Sequence, residues 1–292
     1  MRRTNLIVLL VVAGAAALLA GCATAQAPTQ VAPLSPTTAV PTAAPLPTVE
    51  GTPSLAPGDL SVFAASSLTD AFGEIGKAFE QAHPGTTVTF NFAGSQTLRT
   101  QIQEGAAADV FASANTTEMK ALVDSGNVPT AGAHNFAGNR LVVITAPGNS
   151  AGINDLQDLA SPGAKIVLAA EEVPVGKYAR QALQNLNAEF GPTFADQVLA
   201  NVVSMEDNVR QVVAKVTLGE ADAGIVYTTD AAADPNLGTI AIEDPYNVLA
   251  TYPLAVLEAA PRADLAQAFV DLVLSPDGQA ILAKYGFLPP AS

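Results

Sequence analysis

Four stretches of the chain end a β-type run and begin a helical pattern, and each offers hydrogen-bond donors at the junction. Ser67 follows the run Ser61-Val62-Phe63-Ala64-Ala65, and Ser95 follows Phe92-Ala93-Gly94. Val175 follows Pro174, and Val209 follows Asp207-Asn208. The first turn of a helix leaves backbone N–H groups without intrahelical acceptors and carries roughly half a unit of positive charge, which suits an anion. Tyr227, closing the run Gly224-Ile225-Val226, adds a phenolic donor. Two hydroxyls, several amides and a phenol fit a ligand whose outer atoms are all unprotonated oxygens. Ser67 has a second reading: with Asp70 three residues on it matches a capping signal, and a cap would satisfy its own helix instead of a ligand. As a nucleophile, Ser67 or Ser95 would need a base. Neither His83 nor His134 follows a strand end, both sit beside turn residues as exposed side chains do, and Gly-x-Ser-x-Gly is absent.

Such junctions require strands and helices in alternation, and the hydrophobic pattern supplies them. Strands are expected at 60–65, 87–93 and 109–113. They alternate with helices at 68–83, through Leu98 and Ile102, and at 117–125. Leu68, Ala71, Phe72, Ile75 and Phe79 share one helical face. A second set places strands at 141–144, 165–169, 201–204, 223–227, 240–242 and 252–257, with helices at 175–186, 209–218, 264–274 and 276–285. The Val-rich segment from Val209 is read as helix because Val209, Val212, Val213 and Val216 have helical spacing. This order implies an α/β protein with mostly parallel sheet, whose ligands sit beyond the strands' carboxyl ends. The pattern allows either one sheet or two lobes with a cleft between them.

With 13 Lys and Arg against 27 Asp and Glu, the formal charge is −14, which argues against nucleic acid or an anionic lipid surface as partner. An anion must therefore be held by local dipoles. One cysteine and no tryptophan exclude a disulfide framework and a Cys-based zinc site. That cysteine, Cys22, closes Leu19-Ala20-Gly21-Cys22 after a basic start (Arg2, Arg3) and an apolar run over 6–20. The run is short for a spanning helix and suits a signal peptide over 1–21. Leu-Ala-Gly-Cys resembles the lipobox of bacterial lipoproteins, which implies lipid attachment at Cys22 on the extracytoplasmic side of the membrane. Residues 22–58 read as a tether. Eight prolines, many Ala and Thr, and Glu50 as the sole charge leave no core to form. In polyproline geometry it would reach at most roughly 110 Å.

Residues 60–290 resemble the molybdate-binding proteins of bacterial ABC importers. The resemblance rests on Phe63-Ala64-Ala65-Ser66-Ser67-Leu68-Thr69, Phe92-Ala93-Gly94-Ser95-Gln96-Thr97-Leu98 and Gly105-Ala106-Ala107-Ala108-Asp109-Val110-Phe111. It continues through Val173-Pro174-Val175-Gly176-Lys177-Tyr178-Ala179, Glu206-Asp207-Asn208-Val209-Arg210, Gly224-Ile225-Val226-Tyr227 and Tyr285-Gly286-Phe287. It implies a two-lobed periplasmic-binding-protein fold, with one lobe at 59–141 and 248–292 and the other at 142–247. Each lobe would be a mostly parallel sheet flanked by helices, hinged near 138–143 and 241–252. It implies a tetrahedral molybdate or tungstate in the interlobe cleft, held by the hydroxyls and amides of Ser67 and Ser95, by the amides at Val175 and Val209, and by the Tyr227 hydroxyl. No cofactor, no directly ligated metal and no cationic side chain would take part. Gln96 stands where many relatives carry a serine. Lys177, Arg180 and Arg210 are expected to face solvent or pair with Glu171, Glu172, Glu206 or Asp207. The implied partners are an ABC permease with its ATPase and a membrane reached through the N-terminal lipid, with the receptor itself a monomer. A receptor of the same fold for sulfate, another oxyanion or iron, and an inert adhesin, are the competing readings; iron receptors of this fold use paired tyrosines, and no Tyr-Tyr occurs.

Overall fold

A computed structural model describes residues 55–290. The expected leader, Cys22 and nearly all of the expected tether lie outside the described residues. Strand β1 (Asp59–Ala65) runs through one 3-10 turn (Ser66–Leu68) into α1 (Thr69–Ala82). Leu68, Phe72, Ile75 and Phe79, spaced for one helical face, are fully buried. The Phe72 ring meets Phe136 and Phe269 at centroid distances of 5.7 and 5.9 Å. Each such side chain contributes about 1.5–3 kcal/mol on leaving water, which fixes the helix on the sheet. Next come β2 (Thr87–Ala93), α2 (Ser95–Gln103), β3 (Val110–Ala112), α3 (Thr116–Asp124) and β4 (His134–Asn139).

The chain then crosses to a second sheet. This begins with β5 (Leu141–Thr145) and β6 (Ile166–Ala169), continues with α4 (Pro174–Phe190) and α5 (Phe194–Ala200), then β7 (Val202–Glu206) and α6 (Val209–Thr217). It closes with β8 (Ala223–Tyr227), α7 (Thr228–Ala232) and β9 (Gly238–Ala241). The return crossing leads to β10 (Ala250–Val256), α8 (Ala263–Leu274) and α9 (Pro276–Lys284). The Val-rich segment is helical as expected. Val209, Val212 and Val216 are buried, and Asn208 caps the helix by accepting from the Gln211 N–H at 3.1 Å.

The two sheets have strand orders β2-β1-β3-β10-β4 and β7-β6-β8-β5-β9. In each, one strand runs against the other four: β10 is antiparallel to β3 and β4, and β5 to β8 and β9. The exceptions have one cause. β5 and β10 are the strands entered directly from the other sheet, so they start at the interlobe side, where the remaining strands end. The sheets are therefore mixed by pairing, although most strands point toward the cleft. Register aligns the junctions: Ala65 pairs with Ala93, which sets the residues after β1 beside those after β2.

The two-lobed α/β architecture agrees with expectation, and local departures have physical reasons. Strand β4, His-Asn-Phe-Ala-Gly-Asn, lacks β-branched residues and alternation; pairing with β10 and a bridge from Gly138 to Leu288 define it. Helices α5 and α7 are too short to show a period. Leu141, the last residue of the expected first lobe, opens β5 and pairs with Tyr227 in the second sheet. His134 is exposed, whereas His83 is half-buried with its ring 4.4 Å from Phe79. Among the described residues, no helix is long and apolar enough to cross a membrane.

Candidate functional site

The strand ends and helix starts meet at one small cavity between the lobes. Its walls are Ala65, Ser66 and Ser67 after β1, Ala93, Gly94 and Ser95 after β2, and Ala114 after β3. From the second lobe come Val173, Pro174 and Val175 at the start of α4, Val209 at the start of α6, and Tyr227 at the end of β8. All five residues singled out in the sequence thus border the same space.

Each has a defined local role. Ser67 is not the cap of α1: the helix follows Leu68 with no side-chain cap, and the Ser67 hydroxyl shares a hydrogen bond with the Tyr252 hydroxyl at 3.0 Å. Ser95 is the first residue of α2, and its oxygen accepts from the Ala114 N–H at 3.0 Å, so its own proton is free for another acceptor. Val175 follows Pro174 in the first turn of α4, where proline at the first helical position is preorganised. Val209 is the first residue of α6. The backbone N–H groups of both valines therefore lack intrahelical acceptors. Tyr227 is buried, and among the described residues its hydroxyl has no hydrogen-bond partner of good geometry.

The electrostatics favour donors. Burial pushes the Tyr227 phenol well above its ordinary pKa, with the neighbouring Tyr252 adding to the effect. Burial likewise raises Tyr252, and pushes Tyr178 up to about 12. These phenols stay protonated across the physiological range and can donate. A buried donor without a partner costs free energy, so an acceptor placed at this spot is favoured.

Among the described residues, no Lys, Arg, His or carboxylate borders the cavity. Lys177 is exposed, as expected. Arg180 and Arg210 depart from expectation. The Arg180 guanidinium donates to the carbonyls of Ala169 and Gly176 at 2.9 and 2.8 Å, and Arg210 pairs with Asp70 and Asp230. A wider groove opens between α1, α7 and the end of α9. Its charges include the Lys284–Glu74 and Arg210–Asp70 pairs, so it is not the donor-only site. Among the described residues, no group of three or more His, Cys, Asp or Glu is placed to hold a metal ion.

Sequence reasoning missed Tyr252, which holds the Ser67 hydroxyl, and Gly94. A Cβ on Gly94 would fall 2.4 Å from the Asp207 carbonyl oxygen, so the lobes meet there at a distance only glycine allows. Gln96 donates from Nε2 to the same carbonyl at 3.0 Å. Neither relation has a local signal, because each partner arrives from the far side of a crossing.

Two sheet-and-helix lobes enclosing a cavity lined by donors are the architecture of a two-lobed solute-binding protein. The chain belongs to the bacterial extracellular solute-binding proteins, whose family profile matches residues 60–288. It is 38% identical to the Molybdate-binding protein ModA of Mycobacterium tuberculosis, over 78% of this chain and 84% of the relative. It is 36% identical to the Molybdate-binding protein ModA of Escherichia coli, over 79% of this chain and 89% of the relative. The periplasmic molybdate-binding protein of Azotobacter vinelandii superposes with a TM-score of 0.70, covering 80% of this chain and all of that one. At 22% identity, that last likeness speaks for the fold. The kinship expected from the motifs is borne out.

Proposed function

We propose that the protein is an extracytoplasmic receptor that closes on molybdate, and equally on tungstate, and delivers it to an ABC importer. The observation that carries this reading is the donor-only cavity, into which Tyr227 brings a hydroxyl with no partner of its own. The naming of the two relatives for molybdate supports it. The oxyanion accepts from the hydroxyl and the backbone amide of both Ser67 and Ser95, from the amides at Val175 and Val209, and from the Tyr227 hydroxyl. It is bound through its oxygens, with no cofactor, and leaves chemically unchanged. Roughly seven charge-assisted bonds at about 1.5–3 kcal/mol each give a gross gain above 10 kcal/mol. Desolvation, closure and lost freedom take part of that back, leaving about −8 to −12 kcal/mol, a micromolar to nanomolar affinity.

Selectivity follows from size and protonation. Sulfate presents the same four acceptors on a smaller frame and leaves bonds stretched. Tungstate is nearly the size of molybdate. Phosphate arrives partly protonated and sets a donor against donors. The lobes, 59–140 with 248–290 and 141–247, move as units about the crossings, where Arg140 pairs with Asp244. The receptor acts as a monomer, held to the membrane by a lipid on Cys22 through the tether at 22–58.

Calorimetry with molybdate, tungstate, sulfate and phosphate at matched ionic strength tests the ligand. Molybdate and tungstate are expected to bind within about threefold of each other, and sulfate at least tenfold more weakly, a difference of about 1.4 kcal/mol. Sulfate bound as tightly as molybdate would overturn the assignment.

A further inference from the structure

Arg210 is one residue beyond Val209 and borders no part of the cavity. Its guanidinium spans the lobes. Nη2 lies 2.6 Å from Asp70 Oδ2 in the first turn of α1, and Nε lies 3.0 Å from Asp230 Oδ1 in α7. Among the ion pairs of the described residues, Arg210–Asp70 is the one joining α1 to the second lobe. Asp230 is fully buried, and neither of its oxygens makes a hydrogen bond of good geometry. Burial pushes its carboxyl up to about 7, against the pull of the Arg210 charge. The groups facing it are Arg210, Asp70, Tyr227 and Tyr252. A carboxylate kept in so unfavourable a place has one evident use there: it aims the guanidinium out of its own lobe and across the cleft.

We infer that Arg210 is a positioning residue for anion retention: anchored on Asp230, it grips Asp70 only when the lobes are closed, and so slows ligand release. The geometry ties the grip to closure. Asp70 is three residues from Ser67 and Arg210 one residue from Val209, so the bond forms only when the starts of α1 and α6 are drawn together. Gln96 also reaches the Asp207 carbonyl, so a second contact joins the lobes near the start of α6. The Arg210 side chain is 29% exposed and that of Asp70 42%, so water and salt screen the bond partly but not fully. The inference rests on the proposed ligand, and the test separates the two.

The informative variant is Asp70→Asn, because Asp70 is on the surface and its change leaves the Arg210–Asp230 pair in place. Association and dissociation of molybdate with the full chain are followed by tyrosine fluorescence after rapid mixing and dilution. Asp70→Asn is expected to raise the dissociation rate roughly three- to tenfold with association changed less than twofold, between the range of exposed ion pairs and that of charge-assisted bonds. Asp70→Glu should restore slow release. An unchanged dissociation rate in Asp70→Asn would overturn the inference, whatever happens to its melting temperature. Should the unsubstituted chain fail to bind molybdate, the ligand assignment falls. The same dissociation measurement with whichever of tungstate, sulfate and phosphate does bind then decides the latch: faster release from Asp70→Asn than from the parent supports it, and equal rates reject it.

Discussion

Replacing Ser67 and Ser95 together with alanine is expected to weaken molybdate binding by about 3–6 kcal/mol, from about 1.5–3 kcal/mol for each charge-assisted bond. Calorimetry on the double variant and on each single one checks this. Each serine does more than face the cavity. Ser67 is tied to the Tyr252 hydroxyl, and Ser95 accepts from the Ala114 N–H. Removing them leaves a buried phenol and a buried amide short of a partner, so the melting temperature should also fall. The two effects separate cleanly, because affinity is read on the folded protein below its transition. If the double variant binds as the parent does, the serines only fasten β10 and β3 to the junctions, and the ligand is held by something else.

Gly94→Ala is the second large effect, and it acts through closure. Gly94 has φ −62° and ψ 139°, a conformation open to any residue, so the separated lobes should fold and melt normally. In the closed protein the added Cβ would lie 2.4 Å from the Asp207 carbonyl oxygen. That oxygen belongs to the backbone leading into α6 and cannot turn aside without carrying the Val209 amide with it. The clash costs about 1–3 kcal/mol by analogy with overpacked cores. A weakened Val209 contact adds up to about 1.5–3 kcal/mol. The expected result is a loss of affinity of roughly a hundredfold or more with little change in melting temperature, measured by calorimetry and thermal denaturation. Affinity within threefold of the parent would show that the lobes need not meet at this point.

What the sequence revealed and what it hid divide along one line. Ser67, Ser95, Val175, Val209 and Tyr227 were legible because each sits at a strand–helix junction written in adjacent residues, and because the surrounding motifs resemble those of a known family. The hidden parts are pairings across the fold. Tyr252 meets Ser67 over a separation of 185 residues, and Arg210 meets Asp70 over 140. No local pattern marks such partners. Arg210 looked like a solvent-facing or locally paired cation because acidic residues stand close to it in sequence; the fold instead brings it Asp70 and the buried Asp230. The edge strand β4 was illegible for a related reason, since its Asn and Gly residues have no preference for extended structure and are recruited by β10. Ser67 shows the converse. Its capping signal was locally sound, but the chain spends one 3-10 turn before α1 begins, and the hydroxyl is left for the cleft side.

The central claim is that hydroxyls and helix-start amides, with no formal positive charge, suffice to hold a doubly negative oxyanion. A crystal structure of the protein grown with molybdate tests it most directly. The account predicts the anion in the cavity between the lobes, its oxygens within hydrogen-bond distance of the Ser67, Ser95 and Tyr227 hydroxyls and of the Val175 and Val209 amides. A lysine or arginine nitrogen in contact with the anion, or the anion bound elsewhere on the molecule, would contradict it.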